Sequence, residues 1–182
     1  VTEKLRDTEA QTRVTLYQGL PKADKMEWIV QKSTELGTGA IAPVAMIRSV
    51  VKLEGKDAAK KTERWQKIAR EATKQSGRTV ELKVDTPISM KQMLTRFADF
   101  DAVLVPWEDA AGYGLRRFSM EQPEMRHIAL VVGPEGGMSP EEVHAMEAVG
   151  ARQVTLGPRI LRTETAGIAA TAALLALYGE ME

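Results

Sequence analysis

In Leu130-Val131-Val132-Gly133-Pro134-Glu135-Gly136-Gly137-Met138-Ser139-Pro140-Glu141-Glu142, an apolar run stops at a glycine-rich turn and a capped helix begins. The proline favours an extended backbone at the glycine before it, and the two consecutive glycines allow main-chain N–H groups to approach a bound molecule. Ser139 is the expected N-cap, and Glu142 is the expected return partner of a capping box. The pattern predicts either a ligand-binding junction or a tight strand-to-helix turn that binds nothing.

A second segment of the same design follows at Val154-Thr155-Leu156-Gly157-Pro158-Arg159-Ile160-Leu161-Arg162-Thr163-Glu164-Thr165-Ala166. Here too a short apolar run breaks at a glycine and a proline, and a long alanine-rich helix follows. Two loops of one design therefore flank one helix, which favours a ligand site over two unrelated turns.

These two segments resemble the RsmE-type methyltransferases, which modify N3 of a uridine in bacterial 16S ribosomal RNA and belong to the SPOUT class with a trefoil knot. Three further segments fit that family in the same order along the chain: Lys32-Ser33-Thr34-Glu35-Leu36-Gly37, Arg48-Ser49 and Glu71-Ala72-Thr73-Lys74-Gln75-Ser76-Gly77-Arg78. The resemblance extends from about Leu16 to the C-terminus.

Capping residues and apolar periodicity predict an α/β fold in which strands and helices alternate, with a mostly parallel sheet covered by helices on both faces. The resemblance implies a SPOUT-like knotted methyltransferase domain at 21–182, preceded at 1–20 by the remnant of a PUA-like β-barrel. The alternating strand Thr12 to Gly19 is assigned to that barrel. The remaining predicted elements are helices from Asp24 to Leu36, Asp57 to Ser76 and Ser89 to Phe97, and strands at Ala40 to Pro43, Val80 to Val84, Ala102 to Val105 and Ile128 to Val132.

Composition excludes several classes of protein. The 182 residues include no cysteine, which excludes disulfides and thiolate metal sites. The apolar stretch from Ile168 to Tyr178 is too short to span a bilayer, and no leader pattern opens the sequence, so we expect a cytoplasmic protein without a membrane segment. Net charge is zero, yet Arg48 to Arg78 holds ten basic and four acidic residues, which favours a nucleic-acid partner there.

The resemblance implies S-adenosylmethionine as cofactor, held mainly by main-chain groups of three loops, with no metal required. These loops follow the strand ending at Val105, the strand ending at Val132 and the strand beginning at Val154. Trp107 could border the cofactor, whereas His127 and His144 lie on different elements and receive no role. The expected cofactor-binding residues are Val105, Pro106, Val132, Gly133, Pro134, Glu135, Gly136, Gly137, Leu156, Gly157, Ile160, Leu161 and Thr165.

Methylation at uridine N3 requires that the proton on that nitrogen leaves, so a catalyst must stabilise the developing anion or accept the proton. Arg162 is the preferred electrostatic partner, because a guanidinium stays charged and matches carbonyl or phosphate oxygens. Glu164 and Glu135 are competing candidates for the base. The alternatives are an ion pair of Arg162 with either carboxylate that only stiffens the loop, and a favourable helix-dipole position for Glu164.

The expected RNA contacts are basic side chains of the 48–78 region, with 16S ribosomal RNA or the small-subunit particle as partner. For the basic side chains on the predicted helix, Arg64, Lys67 and Lys74, the alternative is a solvated helix face without a partner. Arg78, just past the glycine that ends the helix, is expected to face RNA. The full set of expected contacts is Arg48, Arg64, Lys67, Lys74 and Arg78.

The resemblance also implies a homodimer, and we assign its interface to the C-terminal helix, with Ala166, Ala169, Ala170 and Ala173 allowing close approach beside Leu174, Leu175 and Leu177. The predicted function is methylation of uridine N3 in 16S ribosomal RNA. The alternatives are another SPOUT methyltransferase acting on tRNA or a ribose 2'-hydroxyl, and a non-catalytic RNA-binding or ribosome-assembly module.

Overall fold

One parallel sheet organises the chain, and the computed structural model describes residues 7–110 and 112–182 of it. The strands are β1 Arg13–Gly19, β2 Ala40–Ala45, β3 Lys83–Val84, β4 Ile88–Ser89, β5 Ala102–Pro106, β6 His127–Val132 and β7 Arg152–Val154. Their order across the sheet is β3-β2-β1-β6-β5-β7, with β4 also paired to β2, and every pairing is parallel. The predicted α/β class with a parallel sheet is confirmed.

Six helices cover both faces of this sheet within the described residues. They are α1 Lys25–Leu36, α2 Gly55–Ser76, α3 Met90–Thr95, α4 Leu115–Glu121, α5 Pro140–Glu147 and α6 Thr163–Leu177. Alternate side chains of β1 point to opposite faces: Leu16 packs in the cluster that contains Trp65 and Leu174, and Tyr17 packs in the cluster that contains Met146. Two buried cores therefore sandwich the sheet.

The strand assigned to a barrel remnant is the central strand of the sheet. Thr15 and Leu16 of β1 pair with β2 on one side and with β6 on the other, so the boundary predicted between residues 20 and 21 is wrong for this strand. A short alternating pattern of this kind fits a barrel strand and a strand of an open sheet equally well. Residues 1–6 of the assigned remnant lie outside the described part of the chain.

The capping residues and glycines of the sequence predicted most helix and strand ends correctly. Gly37 and Gly77 stop α1 and α2 with φ of 96° and 70°, and Ser89 forms a capping box at the start of α3. The expected strand from Val80 shrinks to Lys83–Val84, because the residues before it bond to the segment preceding β1 and to α2 instead of to β2. The helix expected to reach Phe97 ends at Thr95 and is followed by a 3-10 turn, Phe97–Asp99.

Candidate active site

A cavity of about 680 Å³ opens at the carboxyl ends of β5 and β6 and beside the end of β7. This edge is where parallel α/β sheets bind their ligands, because the connecting loops diverge there. Three loops build the walls, and α1 contributes one lysine. The lining residues are Lys25, Pro106, Trp107, Glu108, Val132, Gly133, Pro134, Glu135, Gly136, Gly137, Met138, Thr155, Leu156, Gly157, Pro158, Arg159, Ile160, Leu161, Arg162, Thr163 and Ala166.

The loop after β6 is fastened at both of its ends. Ser139 and Glu142 form the predicted capping box, with the Ser139 N–H donating to Glu142 Oε2 at 2.8 Å and the Glu142 N–H donating to Ser139 Oγ at 3.2 Å. At the other end, a Cβ on Gly19 would lie 2.6 Å from Pro134, so only glycine allows β1 to approach the loop so closely. The loop is therefore anchored to α5 at one end and packed closely against β1 at the other.

The loop after β7 is more exposed and leads directly into α6. Gly157 has a φ of 100°, a backbone conformation that favours glycine, and the side chain of Ile160 is 85% exposed. Arg162 is the N-cap residue of α6, and its carbonyl accepts the N–H of Ala166 at 2.8 Å. The start of α6 therefore places this exposed arginine at the wall of the cavity.

Lys25 forms a clip that sequence reasoning missed. Its Nζ lies 3.1 Å from Glu135 Oε1 and 3.2 Å from Glu164 Oε2, and both contacts are ion pairs. These contacts, first with Glu135 and then with Glu164, raise the pKa of Lys25. No local signal marks this lysine, because it begins a helix more than one hundred residues before its partners.

The two candidate bases are weak bases in this setting. Burial by itself would raise the pKa of Glu135, but hydrogen bonds from the Lys22 N–H and from Lys25 hold it below its ordinary value. Burial acts likewise on Glu164, whose own main-chain N–H and Lys25 lower its pKa. The ion pair of Arg162 with either carboxylate, given above as the alternative, is absent among the described residues, and Lys25 pairs with both carboxylates instead.

Most of the predicted cofactor residues lie in the cavity wall. Two do not: Val105 is fully buried in the sheet, and Thr165 points outward from the first turn of α6. Of the predicted catalytic residues, Arg162 and Glu135 line the cavity, whereas Glu164 pairs with Lys25 and is not part of the wall. Trp107 borders the cavity, as its position after β5 suggested.

The predicted RNA contacts divide into exposed and buried side chains. Arg48 lies next to the loop after β6 and donates from Nη1 to the Gly136 carbonyl at 3.0 Å. On α2, Lys67 is exposed, as are Arg64, paired with Glu27, and Lys74, paired with Glu71. The structure brings none of these α2 side chains into the cavity wall.

The prediction that Arg78 faces RNA is wrong. Its side chain is only 5% exposed and pairs with Glu9. Its Nη1 also donates to the carbonyls of Thr34 at 3.1 Å and Thr38 at 3.0 Å, at the end of α1. The guanidinium therefore fastens the segment before β1 to α1 and to the end of α2, and it has no face left for a partner.

Part of the predicted dimer face is also used inside the chain. Ala170, Leu174 and Leu175 of α6 are buried in the core, as is Ala166. Ala169 is exposed and Leu177 is 39% exposed, so only this side of α6 remains available to a second copy.

Within residues 7–110 and 112–182, no helix combines the length and the apolar character that crossing a membrane requires. The same residues contain no cluster of three or more histidine, aspartate or glutamate side chains arranged to hold a metal ion.

The comparisons with known proteins agree with this geometry. Residues 8–175 match the family described as RNA methyltransferase domain. The ribosomal RNA small subunit methyltransferase E of Bacillus subtilis (strain 168) is 44% identical over 170 residues, which are 91% of this chain and 66% of that protein. This chain thus spans about two thirds of the length of that curated relative.

Solved structures show the same fold. A ribosomal RNA small subunit methyltransferase E from Neisseria gonorrhoeae, bound to S-adenosyl methionine, has a TM-score of 0.86 at 37% identity and covers 97% of this chain and 71% of its own. The A. aeolicus TrmH/SpoU tRNA modifying enzyme has a TM-score of 0.54 at 16% identity over 96% of this chain and 78% of its own, a likeness of fold alone. With the family match over 8–175 and the 44% identity to the Bacillus protein, this chain belongs to the RNA methyltransferase domain family, in its RsmE-type group.

Proposed function

We propose that the protein to which this chain belongs methylates N3 of a uridine in 16S ribosomal RNA, with S-adenosylmethionine as methyl donor. The observation that carries the proposal is the cavity walled by three glycine- and proline-containing loops, with Arg162 in its wall, in a chain of the RsmE-type group. The N. gonorrhoeae relative supports the cofactor, because it is bound to S-adenosyl methionine.

The residues present fit that cofactor. A cavity of about 680 Å³ lies within the range of small-molecule sites, roughly 300–1,000 Å³. Leu156, Ile160 and Trp107 offer apolar surface for the adenine, while the glycines of the loops after β6 and β7 bring main-chain N–H and C=O groups to the wall. Bound there, S-adenosylmethionine would supply an electrophilic methyl group.

Arg162 is the residue to which we assign stabilisation of the uracil anion. A guanidinium at the wall is charged at every physiological pH and presents paired donors to a carbonyl oxygen whose charge grows as N3 loses its proton. Glu135 and Glu164 have lowered pKa values and share one lysine, so they serve the loop rather than accept the proton. In this assignment the proton leaves to solvent while the anion is held by the arginine.

RNA is the substrate that the exposed basic side chains favour. Arg48 borders the cofactor loop, and Arg64, Lys67 and Lys74 of α2 are solvent-exposed. Phosphate contacts of this kind supply affinity that falls as salt rises. We expect the reaction in the cytoplasm, on the 16S RNA or the small-subunit particle.

Two finer features of the resemblance belong to this proposal. We infer a trefoil knot formed by the chain after β6, and its support is that the two glycine loops adjoin while α6 returns to pack on β1 and α1. We infer a homodimer through the exposed side of α6, supported by exposed Ile160 beside the cavity and exposed Leu177. A chain that is monomeric by light scattering at micromolar concentration, yet binds cofactor at full stoichiometry, would contradict the dimer.

The experiment has a binding arm and a reaction arm. Calorimetry measures S-adenosylmethionine binding to the chain, and single-turnover methylation with mapping of the product measures the reaction of the full-length protein on 16S RNA. Arg162→Ala should keep cofactor affinity and lower the rate about 10²–10³-fold, as expected for the loss of one preorganised donor. Arg116→Ala, an exposed arginine of α4 outside the cavity wall, is the matched control.

Three outcomes would overturn parts of the proposal. Methyl groups mapped to a ribose or to tRNA would replace the reaction, and cofactor binding with no methylation of any RNA would indicate a binding module. If Arg162→Ala keeps the rate and loses only RNA affinity, the arginine positions RNA and the catalytic assignment is wrong.

A further inference from the structure

A buried amide connects β1 to both ligand loops. Gln18 is fully buried at the carboxyl end of β1, and its Nε2 donates to the Gly19 carbonyl at 3.0 Å and to Thr163 Oγ1 at 2.8 Å. Thr163 Oγ1 in turn donates to the Gly133 carbonyl at 2.6 Å. Three segments that are far apart in sequence therefore meet in one relay: the end of β1, the loop after β6 and the first residue of α6.

The direction of the relay follows from its chemistry. The Gly19 carbonyl can only accept a hydrogen bond, so the amide nitrogen of Gln18 must face it, and the same nitrogen then donates to Thr163. The hydroxyl of Thr163 has a single proton, which remains for the Gly133 carbonyl. Gln18 thus determines how Thr163 is oriented, and Thr163 determines which way the first peptide of the cofactor loop points.

The remaining oxygen of Gln18 shows that the side chain is not there for stability alone. Its Oε1 is buried and has no hydrogen-bond partner among the described residues. A Cβ on Gly167 of α6 would come within 3.4 Å of that oxygen and 3.2 Å of Leu16, so α6 packs tightly against it. A buried acceptor without a partner is costly, and an apolar side chain of the same shape would avoid that cost.

We propose that Gln18 is a positioning residue for the methyl-transfer site, acting through Thr163. Thr163 adjoins Arg162, and Gly133 begins the loop that walls the cavity, so the relay sets the distance between the arginine and the cofactor loop. The hydrogen bond from Thr163 to the Gly133 carbonyl therefore fixes the peptide that begins this loop. The inference rests on the proposed function, because it concerns the same cavity.

Thr163→Val and Gln18→Met keep the shapes of the side chains and remove the relay. Each should raise the Kd for S-adenosylmethionine about tenfold, because Thr163→Val removes the donor to the Gly133 carbonyl and Gln18→Met removes the donor that orients the Thr163 hydroxyl. The double variant should bind S-adenosylmethionine with nearly the same Kd as the single variant of lower affinity, because the two groups act in series. Thr163→Ser retains the hydroxyl and should restore near-normal affinity.

The matched control is Thr171→Val on the same helix. Thr171 is fully buried, and its hydroxyl has no hydrogen-bond partner in the described part of the chain, so the same chemical change there breaks no relay. Calorimetric titration of S-adenosylmethionine into the chain gives the Kd of each variant, and urea unfolding without cofactor gives its stability. A purely structural role would lower stability and leave the Kd of the folded molecules unchanged.

The outcomes are separable. If the unsubstituted chain binds S-adenosylmethionine and Thr163→Val binds equally well, the positioning role is refuted while the proposed function stands. Equal weakening by Thr171→Val would show general loosening of α6 and would also refute it. If the unsubstituted chain binds no S-adenosylmethionine, the positioning role and the proposed function fall together. If Gln18→Met does not fold, Gln18→Leu is the second apolar replacement that tests the amide, and normal affinity in that variant would refute the role.

Discussion

Replacing Arg78 by alanine should lower the free energy of unfolding of the protein and leave RNA binding unchanged. The guanidinium donates to two main-chain carbonyls, those of Thr34 and Thr38, and is paired with Glu9 while only 5% exposed. The Thr34 carbonyl keeps a second donor, the Gly37 N–H at 3.1 Å, whereas the Thr38 carbonyl is left without a donor among the described residues. Removing one partner of a largely buried pair and leaving a buried carbonyl unpaired costs about 2–4 kcal/mol.

Urea unfolding measures this loss. With a slope of about 2 kcal/mol/M, the midpoint should fall by about 1–2 M urea at pH 7. Arg64→Ala is the control, because that side chain is 59% exposed and a surface pair with Glu27 contributes about 0–1 kcal/mol. Fluorescence-detected RNA binding at several salt concentrations should give folded Arg78→Ala the same salt dependence as the unsubstituted protein.

The pH dependence supplies an independent readout of the same pair. Burial by itself would raise the pKa of Glu9, but Arg78 and two main-chain N–H groups hold it below its ordinary value of 4.5. The folded pKa is the lower one, so this contribution to stability is present above 4.5 and is lost as pH falls through the folded pKa. In Arg78→Ala, the free energy of unfolding should therefore fall less steeply as the pH is lowered. The structural role would be refuted if the variant bound RNA more weakly while its stability stayed within about 0.5 kcal/mol of that of the unsubstituted protein.

Three further predictions concern the site and its surroundings. Gly136→Val should weaken S-adenosylmethionine binding by tenfold or more in calorimetry, because even its Cβ would lie 3.0 Å from the Cβ of Arg48; unchanged affinity in a folded variant would remove this loop from the cofactor site. Lys67→Ala should weaken RNA binding modestly and reduce the slope of log affinity against log salt by about one, while the methylation rate at saturating RNA stays unchanged. An unaltered slope would show that this lysine contacts no phosphate. Burial would raise the pKa of Glu135, yet a main-chain N–H and Lys25 lower it, so the stability it contributes is present above pH 4.5 and is lost as pH falls through the folded pKa. In acid unfolding, the stability of Glu135→Gln should therefore fall less steeply with decreasing pH, and an identical pH dependence would contradict the ion pair with Lys25.

The sequence determined those features whose partners lie within a few residues. The capping boxes at Ser139 and Ser89 and the glycine stops at Gly37 and Gly77 each depend on one turn of chain, and the structure contains all four. The meeting of the glycine loops was predictable for a different reason. Each loop follows a predicted strand, and parallel strands bring their carboxyl ends to one edge.

Tertiary structure decided which surface each side chain faces. Arg13–Gly19 alternates like a barrel strand, yet its position between β2 and β6 is set by partners that are more than twenty residues away in one case and more than one hundred in the other. Arg78 looked like an exposed cation, and Lys25 gave no signal, because the acidic groups and carbonyls that hold them come from distant segments. Periodicity and capping report local backbone preference, whereas burial and pairing of a charge depend on which distant elements pack together, and only the folded chain specifies that.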